Sequence, residues 1–318
     1  MRRGWAGHEE VRATMIKNQA ASLAQCHAEV GEGPVYDPVS ESLYWVDIPA
    51  GRLWRWNRSE RSVSYVTVGE PLGSFALIEG GGFLLAARRG ILVLPGWTDL
   101  PRLWQPVEED LATQFNDGKC DPSGRFVAGT AAVDPRFTGA LYRVDHDGTT
   151  EQLFDGIGMS NGLDWSPDGA LFYHVDTLSQ TVWRYDWDQA TGVPRHPVPF
   201  IQIPSGDGLP DGLCVDIEGC LWLAVWGAGE VRRYAPDGRP LGSVSVPTPN
   251  VTSCTFGGPR GNRLFITTAA QAAPSHGRAA HLAGDVFAIS TPVRGQRRKP
   301  FPRSGIPPAL LETKASEL

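Results

Sequence analysis

One phrase is written six times along this chain: a polar loop, a short apolar strand, a tight turn and a second apolar strand. Its clearest copy is Gly158-Met159-Ser160-Asn161-Gly162-Leu163-Asp164-Trp165-Ser166-Pro167-Asp168-Gly169, followed by the apolar run 170–175. Alternating apolar and polar residues over such short runs argue for half-buried strands, and the Gly, Pro and Asp clusters mark their ends. First strands are expected at 33–38, 74–78, 118–122, 162–165, 212–216 and 253–256, with second strands at 42–46, 82–86, 125–128, 171–175, 220–224 and 263–267. Third strands follow at 52–56, 140–144, 182–185, 230–234 and 285–289, and fourth strands at 62–66 and 241–246. A spacing of about 40 to 50 residues is that of a four-stranded propeller blade. The chain is therefore expected to be all-β, a six-bladed β-propeller of four-stranded antiparallel blades. The last blade lacks a fourth strand after 289, and 23–28 at the start would supply it, removing the free edge.

Composition supports this reading. The 37 Gly and 26 Pro allow many turns, and 11 Trp with 12 Phe suit broad β-surfaces. The propeller domain is expected at 21–293, between a flexible N-terminal extension (1–20) and a flexible C-terminal tail (294–318). The formal net charge of −6 gives no support to nucleic-acid binding. The two ends are basic, so the middle carries nearly all the acid and could attract cations. Five scattered cysteines without a CxxC pair read as reduced thiols. With no apolar stretch near the N-terminus, the expected location is the cytoplasm.

The repeat also locates a site. The innermost strand of a blade lines the central channel, so the loops that precede the first strands converge on one mouth. They carry Glu32, Ser74, Asn116 with Asp117, Asn161, Asp211, and Thr252 with Ser253. Carboxylates facing one another in a confined site need a counter-charge. An all-oxygen donor set selects a hard divalent cation, Ca²⁺, Mg²⁺ or Mn²⁺, with Zn²⁺ only softly excluded. Asn-Gly and Asp-Gly are also ordinary turn pairs. Glu32, Asn161 and Asp211, at equivalent repeat positions, favour the metal.

Gly31-Glu32-Gly33-Pro34, Phe115-Asn116-Asp117-Gly118-Lys119, Ser160-Asn161-Gly162-Leu163-Asp164-Trp165-Ser166, Pro210-Asp211-Gly212-Leu213 and 251–258 resemble the SMP-30/gluconolactonase/luciferin-regenerating-enzyme family. The resemblance runs from about residue 28 to 293. It implies one catalytic divalent cation held by Glu32, Asn161 and Asp211, with Asn116 contacting substrate or the ion's water. The implied activity is hydrolysis of sugar lactones to aldonic acids. A bound cation would polarise the lactone carbonyl, and Asp211 is the candidate general base. The expected partner is a small sugar lactone, with neither nucleic acid nor membrane, and the assembly a monomer or weak homo-oligomer.

Two departures bear on substrate. Gln114 stands where many members carry an arginine, and the loop after Gly129-Thr130 offers Asp134 as a substrate acid. Three other readings compete. Gly158-Met159-Ser160-Asn161-Gly162 fits a serine-hydrolase elbow, but a strand rather than a helix is expected to follow. A calcium-dependent phosphotriesterase would hold its ion with similar oxygens, and a non-enzymatic propeller would not need Glu32, Asn161 and Asp211 together.

Overall fold

The short apolar runs close into six sheets, each a four-stranded antiparallel blade, one of them widened by a fifth, parallel strand. The computed structural model describes residues 17–88, 90–106, 112–132, 134 and 136–313. Blade 1 runs from the channel outwards through Gly31–Asp37, Ser42–Asp47, Arg52–Asn57 and Ser62–Thr67. The inner strands of blades 2 to 6 are Leu72–Leu77, Thr113–Cys120, Ser160–Trp165, Leu209–Val215 and Val251–Gly257. Each inner strand packs beside that of the next blade, and the sixth returns to the first. The six-bladed propeller expected from the repeat is the fold observed.

Burial falls from the centre outwards. The second strands Ser42–Asp47 and Phe83–Ala87 are buried along their whole length, because neighbouring blades cover both faces. The outer strand Val193–Gln202 is mostly exposed. Aspartates fix the turns at one end of the channel: Asp37, Asp121 and Asp216 each accept two backbone N–H bonds from the turn that follows.

The ring closes through the N-terminal segment. Ala21–Ala24 pairs antiparallel with Val286–Ser290 and completes blade 6, slightly earlier in the chain than the expected 23–28. Among the described residues no helix is long and apolar enough to cross a membrane. All five cysteines are free thiols.

The expected flexible ends need correction. Lys17–Gln19 adds a parallel strand to the edge of blade 5, while residues 1–16 lie outside the described residues. Residues 294–313 are packed rather than free: Phe301 is fully buried and bridges Ile78, and Gly295 bridges Asp216. Two apolar anchors, Phe301 and Ile306, join the core cluster of blades 2 and 3, and their burial outweighs the polar composition around them.

Candidate functional site

Every inner strand slips register against its second strand at the position the repeat marks. The slips fall between Glu32 and Val35, Leu72 and Ser74, Phe115 and Gly118, Ser160 and Leu163, Pro210 and Leu213, and Val251 and Ser253. A bulge bends the strand and re-aims its unpaired side chains. Asn116, Asp117, Asn161, Asp211 and Thr252 sit within these bulges, and Glu32 and Ser74 border them. The Asn-Gly and Asp-Gly pairs are thus inside strands, not in turns, and the inner strands begin earlier than the alternation suggested. Their glycines serve close approach: a Cβ on Gly162 would overlap the Leu213 backbone, and one on Gly212 would overlap Ser253.

Narrowing the ring this far brings side chains from several blades together. Glu32, Asp117, Asn161 and Asp211 are all buried. Burial first, then the charges of Asp211 and Asp117, push the Glu32 carboxyl well above its ordinary range. Asp211 is raised by burial and then by Asp117, although Glu32 and the Asn161 amide beside it pull the other way. Asp117 is pushed up to about 6, mainly by burial, against the favourable charge of Lys119. Three buried carboxylates therefore crowd one mouth with little compensation.

The remaining bonds aim oxygens into this cluster. Asn161 Nδ2 donates to Thr177 Oγ1 at 3.1 Å, and Thr177 in turn donates to the Pro210 carbonyl at 2.9 Å. That bond fixes the amide's orientation, and Asn161 Oδ1 is left buried without a partner. Asp211 Oδ1 is likewise buried and unpartnered. Glu32 Oε2 accepts the Gly33 N–H at 2.7 Å. Two orphaned acceptors beside crowded carboxylates would suit a hard divalent cation, and Glu32, Asn161 and Asp211 are the residues that could hold one.

The other expected residues lie around this centre. Asn116 is half-buried and donates to the Ser160 carbonyl at 2.7 Å, which leaves its own oxygen as an acceptor. Gln114 is half-buried at the start of the blade 3 inner strand, opposite Ala131. Asp134 stands apart: its carboxylate is forked by the Arg136 guanidinium, with both Nε contacts at 3.0 Å, and that pairing lowers its pKa. Thr252 is a strand tie, donating to the Gly31 carbonyl at 2.5 Å.

Ser160, of the elbow-like motif, meets His174 Nε2 at 2.8 Å, but both are buried on facing strands of one blade with no helix following. Burial holds His174 neutral, its pKa pushed down to about 4. A second acidic group, Asp216 with Glu218 and Cys220, lies at the far end of the channel. Asp216 already accepts Trp222 Nε1, Arg233 and two backbone N–H groups, so it is a structural knot rather than an ion site.

Sequence reasoning placed Asp117 at the mouth without a part of its own and missed Thr177. The first was legible in the Asn116-Asp117-Gly118-Lys119 run; the second depends on a contact between strands that no local pattern carries.

A family profile described as "SMP-30/Gluconolactonase/LRE-like region" matches residues 30–270. The chain belongs to this family. Bovine regucalcin is 36% identical over 300 residues, covering 91% of this chain and 99% of its own. Among solved structures, a regucalcin from Agrobacterium tumefaciens, titled a calcium-binding protein, is 28% identical with a TM-score of 0.85, covering 91% of this chain and 99% of that one. A luciferin-regenerating enzyme is 28% identical with a TM-score of 0.78, covering 86% and 95%. In this SMP-30/gluconolactonase chain the resemblance seen in the motifs extends to the whole propeller.

Proposed function

We propose that this protein is a divalent-metal-dependent lactonase that opens a sugar lactone to its aldonic acid. The observation that carries the reading is the pair of buried, unpartnered oxygens, Asn161 Oδ1 and Asp211 Oδ1, beside the crowded carboxylates of Glu32 and Asp117. A family described by gluconolactonase supports the reaction class, and a calcium-binding relative supports a hard ion.

When bound, the cation would polarise the lactone carbonyl and lower the pKa of water. The chain's own part is orientation and proton transfer. Glu32 and Asp211 nearly neutralise a 2+ charge, so the ion keeps its attraction for a neutral substrate. Thr177 holds the Asn161 amide with its oxygen inward. Asp211 is the proposed general base, a buried carboxylate whose Oδ1 is left unpartnered and free to take a proton from water. Asn116, its nitrogen already engaged, offers an acceptor to a substrate hydroxyl, and Gln114 offers both donor and acceptor. Asp134 could join substrate only by giving up Arg136.

The test is a pH-drop assay on a panel of aldonolactones and organophosphates, with the protein stripped of metal and then resupplied with Ca²⁺, Mn²⁺, Mg²⁺ or Zn²⁺. Lactone turnover should vanish on stripping and return with ion. Full turnover by metal-free protein would refute the metal role, and turnover of organophosphates alone would assign the site to phosphotriester hydrolysis.

A further inference from the structure

A strap of chain closes the channel at the end opposite the mouth. Between Gly295, bridged to Asp216, and Phe301, bridged to Ile78, the chain passes beneath the inner strands. Gln296 donates there to the Trp165 and Val215 carbonyls at 2.8 and 3.2 Å. Arg298 reaches upward, and its Nη2 donates to Asp164 Oδ2. Asp164 is fully buried on the blade 4 inner strand. Its Oδ2 also accepts the Val215 N–H at 2.8 Å and faces Lys119 Nζ at 3.5 Å. Lys119 in turn lies on the blade 3 inner strand two residues beyond Asp117, which belongs to the carboxylate cluster at the mouth. One buried carboxylate is thus shared by two cations, one from the strap below and one from the strand leading to the site.

We propose that Arg298 is a positioning residue for the ion site: by engaging Asp164 from below, it leaves Lys119 to compensate the mouth carboxylates and so sets their pull on a divalent cation. This rests on the metal reading given above. The charges inside the channel support it. Among the described residues, Asp164 pairs with both Lys119 and Arg298 and Asp117 is favoured by Lys119, whereas no cation is paired with Glu32 or Asp211; four buried carboxylates against two cations leave two negative charges, which suits a single 2+ ion. Without Arg298, Asp164 draws Lys119 to itself, and Asp117 faces the mouth uncompensated. Buried charges are weakly screened, so the change is felt at the ion site.

The experiment is calorimetric titration of Mn²⁺ into the full-length, chelator-stripped protein, alongside thermal melting of the ion-free forms. R298Q should tighten the ion's Kd about threefold to tenfold, D164N should loosen it by a similar factor, and R298K should stay within about twofold of the parent, as expected for one charge acting through a partly buried path. A strap that merely ties the fold would lower the melting temperature of R298Q and leave Kd unchanged, and that result overturns the proposal. So does a shift of R298Q and D164N in the same direction. Should R298Q fail to fold, D164N decides: an unchanged or tighter Kd overturns the proposal. A parent protein that binds no ion would bring down the metal reading itself, and this proposal with it.

Discussion

Asp211 is asked to do two things, hold an ion and take a proton, and substitution can separate them. Asp211→Asn keeps an oxygen but loses charge and basicity, whereas Glu32→Gln loses charge at a position assigned to binding alone. With Asp211 as base, its Asn variant should stay down by ~10²–10⁴-fold in kcat even at saturating metal. Glu32→Gln should recover much of its rate once metal is in excess. The measurement is kcat against metal concentration with occupancy followed directly, and equal rescue of both variants would leave Asp211 as a ligand only. Thr177 allows a second test at this scale. Its hydroxyl fixes the Asn161 amide, and Thr177→Val keeps the shape while removing that bond. Loss of such an outer partner should weaken ion affinity by about 10- to 100-fold. Unaltered affinity by calorimetry would show that Asn161 is held in place without Thr177.

The strands explain why these residues meet, and also why the sequence told only part of it. The apolar runs at 42–46 and 220–224 are visible locally, because neighbouring blades bury both faces of such a strand. The bulges are not visible in this way. A register slip is a relation between two strands, and Asn161-Gly162 or Asp211-Gly212 read in isolation as the turn pairs they elsewhere form. The inner strands consequently start before the expected positions, and Glu32, Asn161 and Asp211, expected in loops, lie within strands. What remained legible was their equivalence in the repeat, which depends on period rather than on conformation. Gly162 tests this packing. Its φ lies outside the left-handed region, so Gly162→Ala carries no backbone strain; its cost is the overlap with Leu213. Overpacking at this seam should destabilise the fold by about 1–3 kcal/mol, measured by denaturant midpoint at constant m-value. A neutral substitution would mean that blades 4 and 5 can separate without penalty.

At the scale of the molecule, the ring has two fasteners drawn from opposite ends of the chain. The C-terminal strap has the composition of a tail, since 297–303 is rich in Arg, Lys and Pro, and no local pattern reveals that Phe301 finds a core beneath blades 2 and 3. The N-terminal fastener was legible because the last blade had no fourth strand after 289 and the run 23–28 preceded the first blade. Ala21–Ala24 supplies that strand, and without it the edge of Val286–Ser290 faces solvent with an unpaired ladder. An open edge invites pairing between molecules. A variant lacking residues 1–24 should therefore lose soluble, monodisperse protein, and what remains should melt roughly 10 °C lower or more, given about 2–4 °C per kcal/mol for a domain of this size or somewhat smaller. A variant lacking only residues 1–20 removes the parallel strand Lys17–Gln19 from blade 5 and keeps the closure intact. Its melting point should fall far less. The comparison by size-exclusion chromatography and thermal melting separates closure from simple loss of chain: equal behaviour of the two truncations would mean that the ring holds without its sixth outer strand.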